Sequence, residues 1–299
     1  LLSGNAKSGI LAVTPPHRDH AAIALAYGLT DPIDLAITRL PHALDRFRIA
    51  HLTDLHLTKR NKRIDRLINQ LAKLRLDLGV LTGDYMLRNK PLADSQALPY
   101  LRDLTTAVKP KHGWYGVFGN HDKPQLIDQL QQLPINWLND EAVALADKPI
   151  EIIGLSCNNQ RIDPDPLVAA GAVAKLPSTT ADHDARLRVV LSHRPDFLPL
   201  ASDMGADLML AGHTHGGQVR LPFNLPLYNS SDLPLHLSSG VLRHRDTLAV
   251  VSRGLGMTGF FGSRLRFRML CPPHAPILTL RRNPSPGRHT DDIAAVTRW

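Results

Sequence analysis

Short runs of consecutive apolar residues alternate along this chain with segments in which apolar positions recur every three to four residues. The runs at 47–52, 76–81, 114–118, 150–155, 187–191, 208–211 and 248–251 are rich in aliphatic and aromatic side chains and predict buried strands. Between the first two, residues 61–74 place Ile64, Leu67, Ile68 and Leu71 on one face, with Lys, Arg and Asp filling the other, which predicts an amphipathic helix. Leu126, Ile127, Leu130 and Leu133 repeat that spacing after the third run. Strands alternating with helices imply an α/β layer arrangement, in which chemistry gathers in the loops beyond the carboxyl ends of the strands.

Those loops hold polar residues of a consistent kind. The first run is followed by Thr53-Asp54-Leu55-His56, the second by Gly83-Asp84 and the third by Gly119-Asn120-His121-Asp122. Ser192-His193-Arg194-Pro195 follows the fifth, and Gly212-His213-Thr214-His215-Gly216-Gly217 the sixth. An Asp-x-His pair puts two ligands on one side of an extended strand end, because residues two apart share a face. Alternate imidazoles flanked by glycines let the backbone approach a cation closely. Taken singly, Gly-Asp is a common turn, and Asn120 or Asp122 could cap a loop. Together, five of the 15 histidines fall in short segments that each follow a predicted strand, which core packing does not explain.

Composition narrows the partners. Hydrophobic residues make up 43% of the 299 and charged residues 21%, a globular balance that excludes a disordered chain. The 35 Lys and Arg against 27 Asp and Glu give a net charge of +8, which favours anionic partners without choosing among phosphorylated substrates, nucleic acid and acidic lipid. Two cysteines, Cys157 and Cys271, are too few for a disulfide framework. The longest fully apolar stretch near the start runs only over 21–26, short of the roughly 20 residues of a membrane helix. The chain begins at Leu1 rather than Met, so a removed anchor or signal is an open expectation.

The five loop segments, in this order, resemble the calcineurin-like metallophosphoesterases, over roughly residues 47–282. The longer Gly212–Val219 block, Arg253-Gly254-Leu255-Gly256 and Cys271-Pro272-Pro273 are similar to the membrane-associated bacterial phosphodiesterases of the YaeI and YkuE type, although His274 stands where an acidic residue is expected. The resemblance implies an α/β fold of two mixed β-sheets packed as a sandwich flanked by helices, in four layers. Residues 1–45 would form an N-terminal arm and first strand or strands, 46–283 the catalytic domain and 284–299 a loose tail. It further implies one metal held by Asp54, His56, Asp84 and His215 and a second by Asp84, Asn120, His193 and His213, with Asp84 bridging. Two such ions about 3.5 to 4 Å apart can share a hydroxide and aim it at phosphorus. The two carboxylates leave the centre net positive, hence attractive to phosphate oxygens.

In this reading His121 lies over the centre and protonates the leaving oxygen or stabilises charge there, with Asp122 orienting its ring. The mixed donors suit Mn, Fe or Zn better than an all-oxygen Mg or Ca cage, with Mn the first choice by resemblance. The expected activity is a phosphodiesterase. The alternatives are a pyrophosphatase or phosphodiesterase on a lipid-linked nucleotide such as UDP-2,3-diacylglucosamine, and a non-catalytic scaffold, which would be expected to have lost ligands that are all present here. No specific nucleic-acid binding is expected, and the oligomeric state is left open. Alternation would place Arg264, Arg266 and Arg268 on one face of a strand, opposite Leu265 and Phe267, where a basic face could meet an anionic membrane surface. Membrane association, through a segment absent from this chain or peripherally, is the expectation for localisation, on either side of the membrane.

Overall fold

A computed structural model describes residues 29–60, 62–87, 90–92, 95–157, 186–259, 265–282 and 292–297. Every predicted run becomes a strand, and the strands divide between two sheets. The first sheet runs in the order β1 (Thr30–Ile37), β14 (Ala275–Arg282), β2 (Arg48–Leu52), β3 (Leu78–Thr82), β4 (Trp114–Val117) and β5 (Asn136–Trp137). The second runs β15 (Ala294–Thr297), β12 (Gly240–His244), β13 (Thr247–Val251), β9 (Leu208–Ala211), β8 (Leu187–Ser192), β7 (Ile150–Leu155) and β6 (Glu141–Ala144). A separate two-stranded ribbon pairs β10 (Arg220–Leu221) with β11 (Leu225–Pro226). Both large sheets are mixed: β2, β3, β4 and β5 are parallel, as are β7, β8, β9 and β13, whereas β14, β6 and β12 pair antiparallel to them.

The two-residue period of each strand sorts its side chains between layers. In β8, Val189 and Leu191 enter the cluster between the sheets with Ile49 and Val80, while Val190 joins the outer cluster. In β9, Leu208 and Leu210 point inward and Met209 and Ala211 outward; β13 does the same with Leu248 and Val250 against Ala249 and Val251. The outer face of the first sheet is covered by α1 (Lys62–Leu71), α2 (Ala97–Ala107) and α3 (Pro124–Leu130), whose Leu67, Leu71, Leu101, Leu104 and Leu126 pack on Leu52 and Leu81. On the second, α4 (Leu198–Asp203) packs Leu198 and Ala201 against Met209 and Val251. The result is the expected four-layer sandwich.

Three parts depart from the sequence reading. β14 was not predicted, since Pro276 interrupts its hydrophobic pattern, whereas β1 lies within residues 1–45, where a first strand was expected, although Asp31, Pro32 and Asp34 break its pattern. β1 lies at the edge of its sheet, where a proline costs no internal ladder bond, and its Ile33, Leu35 and Ile37 still alternate into the core. The C-terminal segment is not loose throughout: Ala294–Thr297 pairs antiparallel with β12, so the sheet continues beyond the expected boundary at 283. The basic segment forms no strand over 265–268, and Arg264 lies outside the described residues. Arg266 is exposed there, whereas Arg268 turns inward, so the expected shared basic face does not form. Among the described residues no helix is long and apolar enough to cross a membrane.

Candidate metal centre

The parallel strands bring their carboxyl ends to one edge of the sandwich, and the five loops meet there. Asp54, His56 and His215 offer ligand atoms that lie within 4.8 Å of one another; so do Asp84, His193 and His213, and so do His56, Asp84 and His121. Asp84 is common to the last two sets. Its Oδ2 lies 3.2 Å from His193 Nε2 and 3.5 Å from His56 Nε2, which places one oxygen between the two halves of the site. His215 Nε2 is 3.6 Å from Asp54 Oδ1 and 3.2 Å from His56 Nε2.

Three imidazoles are oriented by backbone carbonyls. His56 Nδ1 lies 2.9 Å from the Met86 oxygen, His193 Nδ1 2.8 Å from the Thr82 oxygen and His213 Nε2 3.1 Å from the Ser230 oxygen. A carbonyl only accepts, so each of these nitrogens carries the proton and the opposite nitrogen presents a lone pair. Those lone pairs face the centre, and His213 Nδ1 and His193 Nε2 point at each other across 3.1 Å. Two acceptors so close repel unless a proton or a cation lies between them. Asp54 Oδ1 and Asn120 Oδ1 are buried with no hydrogen-bond partner, as a metal-directed oxygen would be. Asp54 Oδ2, by contrast, accepts from Thr53 Oγ1 at 2.9 Å and the His213 amide at 3.0 Å. The donor set therefore fits divalent metal.

The backbone bends sharply to achieve this. Asp54, His56, Asp84, His213 and His215 all have positive φ, between 43° and 71°. This left-handed conformation costs a non-glycine residue about 1–3 kcal/mol, and its concentration on proposed ligands marks a functional site. Close approach adds a demand on glycine: a Cβ at Gly119 would stand 2.5 Å from the Asp84 amide nitrogen, and one at Gly254, at φ +68°, would stand 2.5 Å from Asp54 Cβ. The Arg253-Gly254-Leu255-Gly256 segment is thus the wall against which Asp54 is seated.

Electrostatics agree with this arrangement. Burial pushes the His56 and His213 imidazoles down to about 3 and His215 well below its usual value, so all three are neutral donors. Burial likewise raises Asp54 to about 6, with a smaller push from Asp84. His193 differs: burial disfavours its charge, but Asp84 outweighs this and lifts it to about 9. Burial also opposes ionisation of Asp84, yet the imidazoles of His193, His121 and His56 hold its carboxyl well below the usual carboxylate range. Without metal, then, a proton on His193 stands in for cationic charge beside Asp84. Since the raised pKa keeps that proton bound below about 9, loading metal at pH 7 is expected to release about one proton from His193. Apparent affinity should rise with pH until about 9 and then level. Calorimetry at pH 7 in buffers of different ionisation enthalpy measures the release, and proton uptake or none would contradict the assignment.

His121 sits at the mouth, its side chain 24% exposed against 0% for His56 and His193, with Nε2 4.0 Å from Asp84 Oδ2. Its amide donates to Asp84 Oδ1 at 2.8 Å, which seats the adjoining Asn120 beside the centre. Asp122 departs from expectation. Its carboxylate accepts from the amides of Gly119 and Asp84 at 2.9 Å each and of Tyr85 at 2.8 Å, so it ties the β3 and β4 loops together and does not orient the His121 ring. The capping alternative is the one the geometry bears out.

Arg268 was assigned to the wrong surface by alternation. Its guanidinium donates to the carbonyls of Arg253 and Gly256 at 2.7 Å each and of His215 at 3.2 Å, joining the loop behind Asp54 to the loop that bears His215. At 3.5 Å its contact with His215 Nδ1 is too long to set that ring's tautomer. His274, in the position where a carboxylate was expected, is buried with Nε2 3.1 Å from Asp31 Oδ2 and Nδ1 3.3 Å from Ser252 Oγ; the carboxylate here comes from β1.

Comparison with known proteins agrees with this geometry. Residues 47–217 match the family described as calcineurin-like phosphoesterase. The chain is 29% identical over 230 residues to the metallophosphoesterase YkoQ of Bacillus subtilis, covering 73% of this chain and 79% of that protein. It is 31% identical over 188 residues to the phosphodiesterase YaeI of Escherichia coli, covering 59% and 63%. It is also 23% identical over 258 residues to the UDP-2,3-diacylglucosamine pyrophosphatase LpxG of Chlamydia muridarum, covering 64% and 73%.

Proposed function

Since this chain belongs to the calcineurin-like phosphoesterase family and is a phosphoric ester hydrolase, we propose that it is a phosphodiesterase whose two divalent ions are held by Asp54, His56, Asp84, Asn120, His193, His213 and His215. The observation that supports this most is the convergence of His56, His193 and His213, each oriented by a backbone carbonyl on one ring nitrogen so that the other faces the Asp84 carboxylate. Divalent ions held by these residues would supply the nucleophile by bringing the pKa of a bound water toward neutrality and would polarise the phosphoryl oxygens. The protein's own task is to hold the donors converged and rigid. Asp122 and Arg268 fix the loops, Thr53 turns one Asp54 oxygen away so that the other faces the centre, and His121 reaches the leaving oxygen from the open side.

Manganese is the ion proposed first, since imidazole, carboxylate and amide donors suit it as they suit iron or zinc. Metal removal tests the reading. Dialysis against a chelator is expected to lower hydrolysis of a nitrophenyl phosphodiester by about a hundredfold or more, with recovery on adding Mn²⁺. Full activity of a protein shown by elemental analysis to be metal-free would overturn it. A second reading is hydrolysis of a lipid-linked nucleotide, the substrate class in the name of LpxG. It is favoured by the apolar surface beside the centre, and it requires faster cleavage of an acylated sugar nucleotide than of its deacylated counterpart.

A further inference from the structure

Among the described residues, the large hydrophobic side chains that remain exposed gather on one face. Leu221, Phe223, Leu225, Leu227 and Tyr228 project from the β10–β11 finger, and Leu265, Met269 and Leu270 from the segment beside it; Leu235 and Met257 flank them. The two segments are continuous: the Arg220 amide donates to the Met269 carbonyl at 2.9 Å, and the Met269 amide to the Gln218 carbonyl at 3.2 Å. Gln218 in turn exchanges side-chain hydrogen bonds with Thr258, next to Met257. An apolar patch of this kind, at the rim of an otherwise ordinary surface, marks a docking site.

We infer that this finger and the 265–270 segment dock onto an anionic bilayer and hold the metal centre against phosphoesters in its headgroup layer. The finger's backbone suits lipid. Pro222 and Pro226 remove two N–H donors, the Leu227 amide is taken by the Val219 carbonyl at 3.1 Å, and Leu221 pairs with Leu225 across the ribbon. Few backbone donors would therefore lose water without a partner on insertion. Phe223 at the tip is 102% exposed, a protrusion that a fluid bilayer accommodates without a matching groove. The finger is also rigid in advance. Arg220, buried at its root, donates to the Gly216 carbonyl at 2.7 Å, to Ser239 Oγ at 2.6 Å and to Asn224 Oδ1.

Charge points the same way. Residues 217–228, 254–259 and 265–277 contain no Asp or Glu, Arg266 is exposed among them, and the whole chain carries +8. Asp232, the next carboxylate after the finger, faces Arg194 at 3.8 Å. A surface that is apolar, carries the exposed Arg266 and has no carboxylate within the finger or the 265–270 segment complements anionic headgroups. It also adjoins the site. Gly216 accepts from the finger's root, and Ser230, two residues past Tyr228, holds the ring of His213. That the headgroup phosphoester is the substrate rests on the phosphodiesterase reading; the docking itself does not.

Vesicle flotation tests docking, with hydrolysis of a soluble diester measured on the same preparations. The full chain is expected to float with phosphatidylcholine–phosphatidylglycerol vesicles and less with phosphatidylcholine alone. F223D combined with L225D should lower the partition coefficient about a hundredfold, and L265D combined with L270D, on the other segment, about tenfold or more. Soluble-diester hydrolysis should stay within about twofold in both variants. No flotation of the wild type, or unchanged flotation of both variants, would overturn the proposal. So would a wild-type dimer, seen by sedimentation, that fails to float and that the finger variant dissociates, because the face would then join two copies of the chain. Flotation by a protein inactive on the diester would retain docking and reject the catalytic reading.

Discussion

Asp84→Ala is expected to lower kcat/KM on a phosphodiester by about four orders of magnitude and to remove most of both metal ions. The size follows from the position of one carboxylate. Asp84 Oδ2 faces His193 at 3.2 Å and His56 at 3.5 Å, and Oδ1 receives the His121 amide, so its loss opens both halves of the centre and frees the loop that bears Asn120. Removing it also leaves the imidazoles of His193, His56 and His215 without the charge that offsets their proximity. Asp84→Asn separates these effects, since an amide oxygen can still accept from His121 while the negative charge is gone. The asparagine variant should fold with the wild-type thermal midpoint within a few degrees yet bind metal poorly. Wild-type metal content in either variant, measured by elemental analysis, would contradict a shared ligand.

His121→Ala should keep both ions and still lower kcat by roughly 10² to 10⁴ on substrates whose leaving group needs a proton. Its imidazole is the open one, 4.0 Å from Asp84 Oδ2 and edge-on to His56 at a centroid distance of 4.8 Å, where it can meet a leaving oxygen at the mouth. An alkyl diester should suffer the full loss and a nitrophenyl diester much less, because nitrophenolate leaves without help. Metal content measured on the same preparation separates this from a lost ligand. Equal losses on both substrates with metals intact would make His121 a phosphate-binding group instead. Asp122→Asn offers a contrast. The carboxylate accepts from three backbone amides and does not hold the ring, so its substitution should act through loop order and affect both substrates alike.

The candidate donors were legible in the sequence because each follows a strand whose apolar run is unambiguous. Asp54 and His56 follow β2, Asp84 follows β3, Asn120 follows β4, His193 follows β8, and His213 and His215 follow β9; parallel pairing then carries their ends to one edge. What could not be read is what supports them from a distance in sequence. Arg268 alternates with Leu265 and Phe267 as a strand residue would, but three carbonyls from two separate loops capture its guanidinium, and no local pattern records such a demand. Asp122 sits beside His121 in sequence, so pairing of the two was the local inference. The amides of Gly119, Asp84 and Tyr85 compete for that carboxylate and take it. β14 escaped notice because Pro276 interrupts its apolar pattern. The finger escaped for the opposite reason, as Leu221-Pro222-Phe223-Asn224-Leu225 is apolar enough to be core, and only its exposure distinguishes it.

The claim on which the rest depends is that two ions share Asp84. Electron paramagnetic resonance of the metal-free protein titrated with Mn²⁺ addresses it directly, because ions joined by one carboxylate at about 3.5 to 4 Å couple magnetically whereas separate ions do not. The wild type is expected to take up two Mn²⁺ per chain with an exchange-coupled spectrum that appears together with diesterase activity. One ion per chain with an uncoupled six-line spectrum at full activity would contradict the shared centre.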